Sequence, residues 1–217
     1  MTVFFPFVLS FDKKVHFYKS WKYIWPGMAI TGLSFLFWDV LFTMKGVWSF
    51  NSQYVIGVTI WGLPLEEVLF FLTVPFACIF IYACLNYYIK WQISARITGT
   101  ISSLVVVFCT AGLIFYYHRI YTVITCCVLL LLVLIFQYVI KPGWLSRFYF
   151  TYLVALIPFY VVNGMLTSIP IVSYNNIQNM GLRAGTIPAE DHFYLMALLL
   201  MNIGFFEYFK GKSKTNG

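Results

Sequence analysis

Two pairs of adjacent carboxylates could do chemistry in this chain: Glu66 and Glu67 in LPLEEVLFF (63–71), and Glu190 and Asp191 in IPAEDHFYL (187–195). Each pair stands just after a proline, Pro64 or Pro188, and opens an apolar run. Two neighbouring carboxyl groups in a low dielectric cannot both ionise cheaply, so one tends to keep a proton. A carboxylic acid beside a carboxylate is an acid and a base in one place, which suits proton transfer to and from a substrate. Proline and acidic residues are also ordinary helix-start signals, because proline lacks the N–H that the first turn leaves unpaired and negative charge complements the helix dipole. Two facts weigh against that plain reading. Ionisable groups abutting apolar spans are costly and usually mark function. The two pairs also hold four of the seven acidic residues in the chain, the others being Asp12, Asp39 and Glu207.

The elements that must position these groups are membrane helices. Of 217 residues, 61% are hydrophobic and 10% charged, with a mean hydropathy of +0.84, well outside the composition of soluble domains. A spanning helix needs about 20 apolar residues, and six runs qualify: 24–44, 67–89, 97–117, 121–140, 148–169 and 192–209. A seventh, Met1–Phe11, is about half the length needed to cross. It reads as a short first helix rather than a secretory signal, having no basic start and no small-residue cleavage site. The expected fold is an all-α polytopic membrane helix bundle of about seven transmembrane helices. The five cysteines fall inside spans without metal-ligand spacing, and read as small apolar residues. No G-x-G-x-x-G occurs, so neither a metal nor a flavin or other cofactor is expected.

The net charge of +7 does not indicate a nucleic-acid partner, because the basic residues sort by loop. Lys13, Lys14, Lys19, Lys22, Lys90, Arg96, Lys141, Arg147, Lys210, Lys212 and Lys214 fall on one side of the alternating spans, and only Lys45, Arg119 and Arg183 on the other. This positive-inside bias predicts a cytoplasmic C-terminus, acidic motifs near the outer face, and basic groups that contact anionic membrane lipid.

A shift of 124 positions superposes Asp39 on Asn163, Thr43 on Thr167, Ser49 on Ser173, Phe50 on Tyr174, Asn51 on Asn175, Gly57 on Gly181, Pro64 on Pro188, Glu66 on Glu190 and Glu67 on Asp191, without a gap. A fixed offset through a loop and a helix start points to internal duplication. The expected organisation is a first repeat (1–96), a connector helix (97–119), a second repeat (120–209) and a basic tail (210–217). Four crossings separate the two acidic helices, so they point the same way, the repeats are parallel, and both acidic pairs lie on one membrane face. This needs Tyr117-His118-Arg119-Ile120 to be a turn.

WDVLFTMKGVWSFN (38–51) with GLPLEEVLFF (62–71), and SYNN (173–176) with IPAEDHFY (187–194), resemble the membrane-integral lycopene cyclase family in its fused two-domain form. The resemblance covers nearly the whole chain and implies that Glu66, Glu67, Glu190 and Asp191 are catalytic. It implies β-ionone-type ring formation at the ends of lycopene, giving β-carotene through monocyclic γ-carotene. A proton adds to the terminal alkene, a neighbouring double bond captures the tertiary cation, and another proton leaves, with no net redox change. The resemblance further implies a carotenoid substrate drawn from the bilayer, a bacterial cytoplasmic membrane, and partners among other copies of the chain or other carotenoid enzymes.

Aromatic residues make up 21% of the chain. Phe70, Phe71, Phe193 and Tyr194 flank the acids, where a π face could stabilise a carbocation, although membrane packing explains any one of them equally well. Asp39 and its counterpart Asn163 are candidates for a supporting role in the substrate cavity. Asn51 and Asn175 read as turn formers, and His192 as an optional aid to proton exchange. The rival function is a small-solute transporter of parallel three-helix repeats, which calls for polar residues near mid-membrane, where Asn163 and Asn202 are the candidates.

Overall fold

The computed structural model describes residues 2–215, with side chains through Ser213 in the last helix. Seven α-helices dominate: α1 (Phe4–Leu9), α2 (Trp21–Met44), α3 (Leu65–Tyr88), α4 (Ala95–Phe115), α5 (Ile120–Leu134), α6 (Leu145–Ser168) and α7 (Ala189–Thr215). Six helical stretches are long and apolar enough to cross a membrane. The first, α1, has six residues and does not. A 3₁₀ turn over Phe17–Ser20 leads into α2, and α5 runs on as a π-helical segment over Ile135–Ile140. Large side chains such as Leu33, Phe37 and Ile157 face outward, as lipid requires of a bundle whose backbone groups are satisfied within the helices.

Helix boundaries differ from the sequence expectation at the acidic helices, which begin at Leu65 and Ala189 rather than at Glu67 and His192. Helix α7 runs on through residues 210–215 of the expected basic tail; Met1 and residues 216–217 of the expected first segment and tail lie outside the described residues. The turn between α4 and α5 is present, closed by Arg119 N–H donating to the Tyr116 carbonyl at 2.8 Å.

At the centre lies α7, the most enclosed of the spans, packed by α2, α3, α5 and α6. Its contact with α2 depends on Gly27, where an added Cβ would stand 2.7 Å from Phe205 Cβ. Buried polar groups pin the bundle elsewhere. Ser102 on α4 lies 2.7 Å from the Tyr149 hydroxyl of α6 and donates to Gln137 at 3.0 Å, and Tyr82 on α3 donates to Glu207 on α7 at 2.9 Å.

Short strands occupy the loops at the acidic end. β1 (Trp48–Phe50) pairs antiparallel with β4 (Val172–Tyr174), joining two loops far apart in sequence. β2 (Thr59–Ile60) pairs with β3 (Leu63–Pro64), and β5 (Arg183–Ala184) with β6 (Ile187–Pro188). Each of these two hairpins delivers its proline to the residue just before an acidic helix, consistent with the helix-start role expected of Pro64 and Pro188.

Candidate active site

The β1–β4 ladder and the first turns of α3 and α7 enclose a cavity of about 60 Å³. Asp39 from α2, Glu67 from α3 and Asp191 from α7 line it. Adjacent residues on a helix point about 100° apart, so when Glu67 and Asp191 face inward, Glu66 and Glu190 cannot. The latter two turn back onto the hairpins. Glu66 Oε1 accepts from Ile56 N–H at 2.7 Å, and Glu190 Oε1 accepts from Met180 N–H at 2.6 Å. Glu190 is fully buried and also accepts from the Thr122 hydroxyl at 2.5 Å. Next to these bonds stand Gly57 and Gly181, with φ of +87° and +76°, a conformation glycine adopts without the steric cost a Cβ would bring.

Around Asp191 the hydrogen-bond donors converge. Oδ1 accepts from the Tyr121 hydroxyl at 2.6 Å, and Oδ2 accepts from the Tyr174 hydroxyl at 2.7 Å and from Asn163 Nδ2 at 3.2 Å. Three donors and no acceptor surround it, which matches an ionised carboxylate. Burial first, and then the charge of Asp191, hold the Tyr174 hydroxyl well above the usual phenol range, so it remains a donor at neutral pH. Asp39 and Glu67 border the same cavity, and two neighbouring carboxyl groups in a low dielectric cannot both ionise cheaply, so one tends to keep a proton. The Tyr194 hydroxyl donates to Asp39 Oδ1 at 3.1 Å.

Aromatic faces complete the lining. Trp48, Phe50, Phe70, Tyr121, Tyr174 and Tyr194 all border the cavity. Trp48 meets Tyr121 edge-on at 5.2 Å between centroids, and Tyr194 meets Trp38 at 5.0 Å, geometries that aromatic quadrupoles favour. Among the described residues, no group of three His, Cys, Asp or Glu is arranged to hold a metal ion.

The structure therefore brings together Asp39, Glu67, Asp191, Asn163, Phe70 and Tyr194 from the residues singled out in the sequence. It places others elsewhere. Phe71 is buried beside Phe35 and Phe70, and Phe193 stacks on Phe108 of α4 at 4.3 Å; neither borders the cavity. His192 sits outside the lining, its Nε2 2.8 Å from the Tyr160 hydroxyl. Asn51 and Asn175 shape turns by accepting from Gln53 N–H and Ile177 N–H, each at 3.0 Å. Sequence reading missed Tyr121, Tyr174 as a ligand of Asp191, and Trp48. The match of Phe50 with Tyr174 under the 124-residue shift was the available signal for Tyr174; Tyr121 lies in an apolar span and gave none.

A family model for lycopene cyclase matches residues 1–85 and 118–209, leaving a stretch that contains α4 unmatched. No curated protein and no solved structure gives a match. Most of the chain is thus covered by one model, and its two matched parts meet at a buried cavity of carboxyl and aromatic groups: the chain belongs to the lycopene cyclase family, whose members are enzymes of carotenoid cyclisation.

Proposed function

We propose that the chain closes the end groups of lycopene into β-ionone-type rings, giving β-carotene by way of γ-carotene. Asp39 and Glu67 form the acid side of one site and Asp191 the base side. The observation that carries this reading is their placement around a single aromatic-lined cavity, with Asp39 and Glu67 as two carboxyl groups in its wall and Asp191 surrounded by donors.

The chemistry balances without a cofactor or redox partner. The proton kept by the Asp39 and Glu67 pair adds to the terminal alkene, leaving a tertiary cation. The neighbouring double bond attacks it, forming the ring C–C bond and moving the positive charge onto a ring carbon. Asp191 accepts a proton from the adjacent carbon, restoring a double bond and leaving the formula unchanged. Each proton-transfer group is expected to contribute about 10²–10⁴-fold to the rate. The rings of Trp48, Phe70 and Tyr194 supply π faces to the cation. The cavity holds a few waters at most, at roughly 10–15 Å³ each, which limits quenching of the cation while offering a path to return the proton from Asp191 to Asp39 and Glu67. Glu66 and Glu190 then act as positioning residues that anchor the hairpins.

Two parallel repeats, 1–96 and 120–209, joined by a connector over 97–119, account for the recurrence of the same bonds at the same spacing. The loop charges favour an orientation with the C-terminus in the cytoplasm and the site near the outer face of a bacterial cytoplasmic membrane, with the carotenoid drawn from the bilayer. The reading is tested by expressing the chain in a bacterium that accumulates lycopene and separating the pigments by chromatography. Conversion to β-carotene is expected; unchanged lycopene, with the protein verified in the membrane, overturns it.

A further inference from the structure

The cavity between the acids, about 60 Å³, is far smaller than the 300–1,000 Å³ typical of sites that enclose small organic ligands. A second cavity of about 500 Å³ lies beside it, between α1, α3 and α6. Its walls include Val74, Cys78 and Ile81 of α3 and Ala155 and Val162 of α6, and its only polar side chains besides the Cys78 thiol are Thr2 and Asn163. Its rim is open on the lipid-facing side, where Phe5 and Val161 are 62% and 60% exposed. Phe159, Asn163 and Leu195 line both cavities, so the apolar groove meets the acidic chamber at these three side chains. From Val74 to Ile81 the groove follows α3 away from Glu67 for about 10 Å, at roughly 1.5 Å per residue. Both walls carry a proline inside the helix, Pro75 and Pro158. An interior proline removes a backbone hydrogen bond and disturbs the preceding turn, which favours a gap between two helices over close packing.

We propose that this groove seats the polyene chain of the carotenoid, admitted sideways from the bilayer between α3 and α6, and that its end group reaches Asp39, Glu67 and Asp191 by passing between Phe159 and Leu195. The inference rests on the cyclase reading and adds the route and the seat of the substrate. A polyene fits better than a lipid acyl chain for two reasons. It is stiff and loses little conformational freedom on binding, whereas an acyl chain must be ordered. The groove also ends at carboxyl groups, to which a saturated chain offers no reactive bond, while the alkene at the tip of a linear carotene takes the proton.

Lycopene is achiral, so circular dichroism in its visible band appears only when a chiral site holds it. In Glu67→Gln protein in lipid nanodiscs, lycopene should give a saturable visible signal. Val74→Trp and Val162→Trp, added to that protein, should weaken binding at least tenfold, while Val74→Ile should not. In otherwise unaltered protein the two tryptophans should raise KM for lycopene more than they lower kcat. A variant that folds before it is blocked guards against misfolding: Val161→Cys with Cys84→Ala and Cys127→Ala, labelled after purification with a bulky maleimide. Labelling should lower turnover at least tenfold relative to the same variant before labelling. Equal turnover before and after labelling, with lycopene bound equally in the tryptophan variants, overturns the proposal. So does an unchanged lycopene signal accompanied by loss of a co-purifying phospholipid, which would make the groove a lipid site. Failure of the unaltered chain to convert lycopene in cells would instead remove the cyclase reading, whatever the groove holds.

Discussion

Ser49 lies opposite Ser173 in the β1–β4 ladder, and the two are counterparts under the 124-residue shift. An antiparallel pair centred on a residue and its own counterpart has local two-fold symmetry. The flanking bonds obey it, because Asn51 N–H donates to the Ile171 carbonyl and Asn175 N–H to the Val47 carbonyl, both at 2.9 Å. Five counterpart pairs border the one cavity: Asp39 and Asn163, Trp48 and Val172, Phe50 and Tyr174, Glu67 and Asp191, Phe70 and Tyr194. Symmetry places them around one centre, and their chemistry divides it. One half contributes two carboxyl groups, an indole and two phenyl rings. The other contributes one carboxyl group, an amide, a valine side chain and two phenols; the amide and the Tyr174 phenol donate to Asp191, while the Tyr194 phenol donates to Asp39.

The first consequence concerns the two members of each acidic pair. Glu67→Gln and Asp191→Asn should each lower the rate of cyclisation by about 10²–10⁴-fold, the usual contribution of a proton-transfer group. Glu66→Gln should stay within several-fold of the unaltered rate, since a glutamine oxygen can still accept from Ile56 N–H and Glu66 Oε2 has no hydrogen-bond partner among the described residues. Initial rates of pigment conversion in membrane vesicles, scaled to protein amount, check the contrast. Equal losses at Glu66 and Glu67 would contradict the division of roles.

That contrast was not legible in LPLEEVLFF. Hydropathy locates the spans because lipid demands long apolar runs, and the recurrence of P-x-E-[ED] marks both helix starts. Which carboxylate faces inward depends on where the first turn begins and on the hairpin before it. Helix α3 starts at Leu65 after the β2–β3 hairpin, a local geometry set by Gly57, Trp61 and Gly62 at positive φ. Tyr121 stayed hidden for another reason: an aromatic residue at the end of an apolar span has the signature of a membrane interface, and only the tertiary fold brings it to Asp191. Helix α1, with six residues, is too short to cross, as the length of the Met1–Phe11 run indicates.

Removing single donors from Asp191 should produce graded losses. Tyr121→Phe and Tyr174→Phe each delete one hydroxyl bonded to the carboxylate, at 2.6 and 2.7 Å. A hydrogen bond to a charged group is worth about 1.5–3 kcal/mol, so each variant should lose about 10–100-fold in turnover, at roughly 1.4 kcal/mol per factor of ten. If the two act in concert on the one carboxylate, through its two oxygens, the double variant will depart from the product of the singles. Steady-state kcat values for the four proteins measure this.

Making the halves alike should harm the site. Asn163→Asp replaces an amide that donates to Asp191 at 3.2 Å with a second carboxyl group, which removes a donor and adds a like charge in a buried setting. A drop of at least tenfold in kcat is expected. Asp39→Asn combined with Asn163→Asp should not restore it, because the hydroxyls of Tyr174 and Tyr194 remain on one side only. Recovery of activity in the exchanged protein would show that the halves are interchangeable.

Glu190 should govern stability more than chemistry. Glu190→Ala leaves the buried Thr122 hydroxyl and the half-buried Met180 N–H without their acceptor. Each unsatisfied group costs about 1–3 kcal/mol, and in a chain of this size 1 kcal/mol moves the unfolding midpoint by about 2–4 °C. A fall of roughly 5–15 °C is expected in detergent, with Glu190→Gln falling less because its carbonyl oxygen can keep the Met180 bond. Differential scanning fluorimetry gives the midpoints.

A single cavity also sets the order of events on a substrate with two ends. Only one end group can reach Asp39, Glu67 and Asp191 at a time, because all three border the same 60 Å³ chamber. On the proposed conversion of lycopene to β-carotene, the second ring therefore requires the carotenoid to leave, reverse and return. Single-ring γ-carotene should then accumulate early in a time course and decline as β-carotene grows. If unlabelled γ-carotene is added to vesicles converting isotopically labelled lycopene, it should dilute the label in the two-ring product, since the intermediate released by the protein mixes with the added pool. Two-ring product that forms without a lag, at full label in the presence of the added pigment, would mean that both ends close in one binding event, and would require a second chamber that the symmetry of Ser49 and Ser173 does not provide.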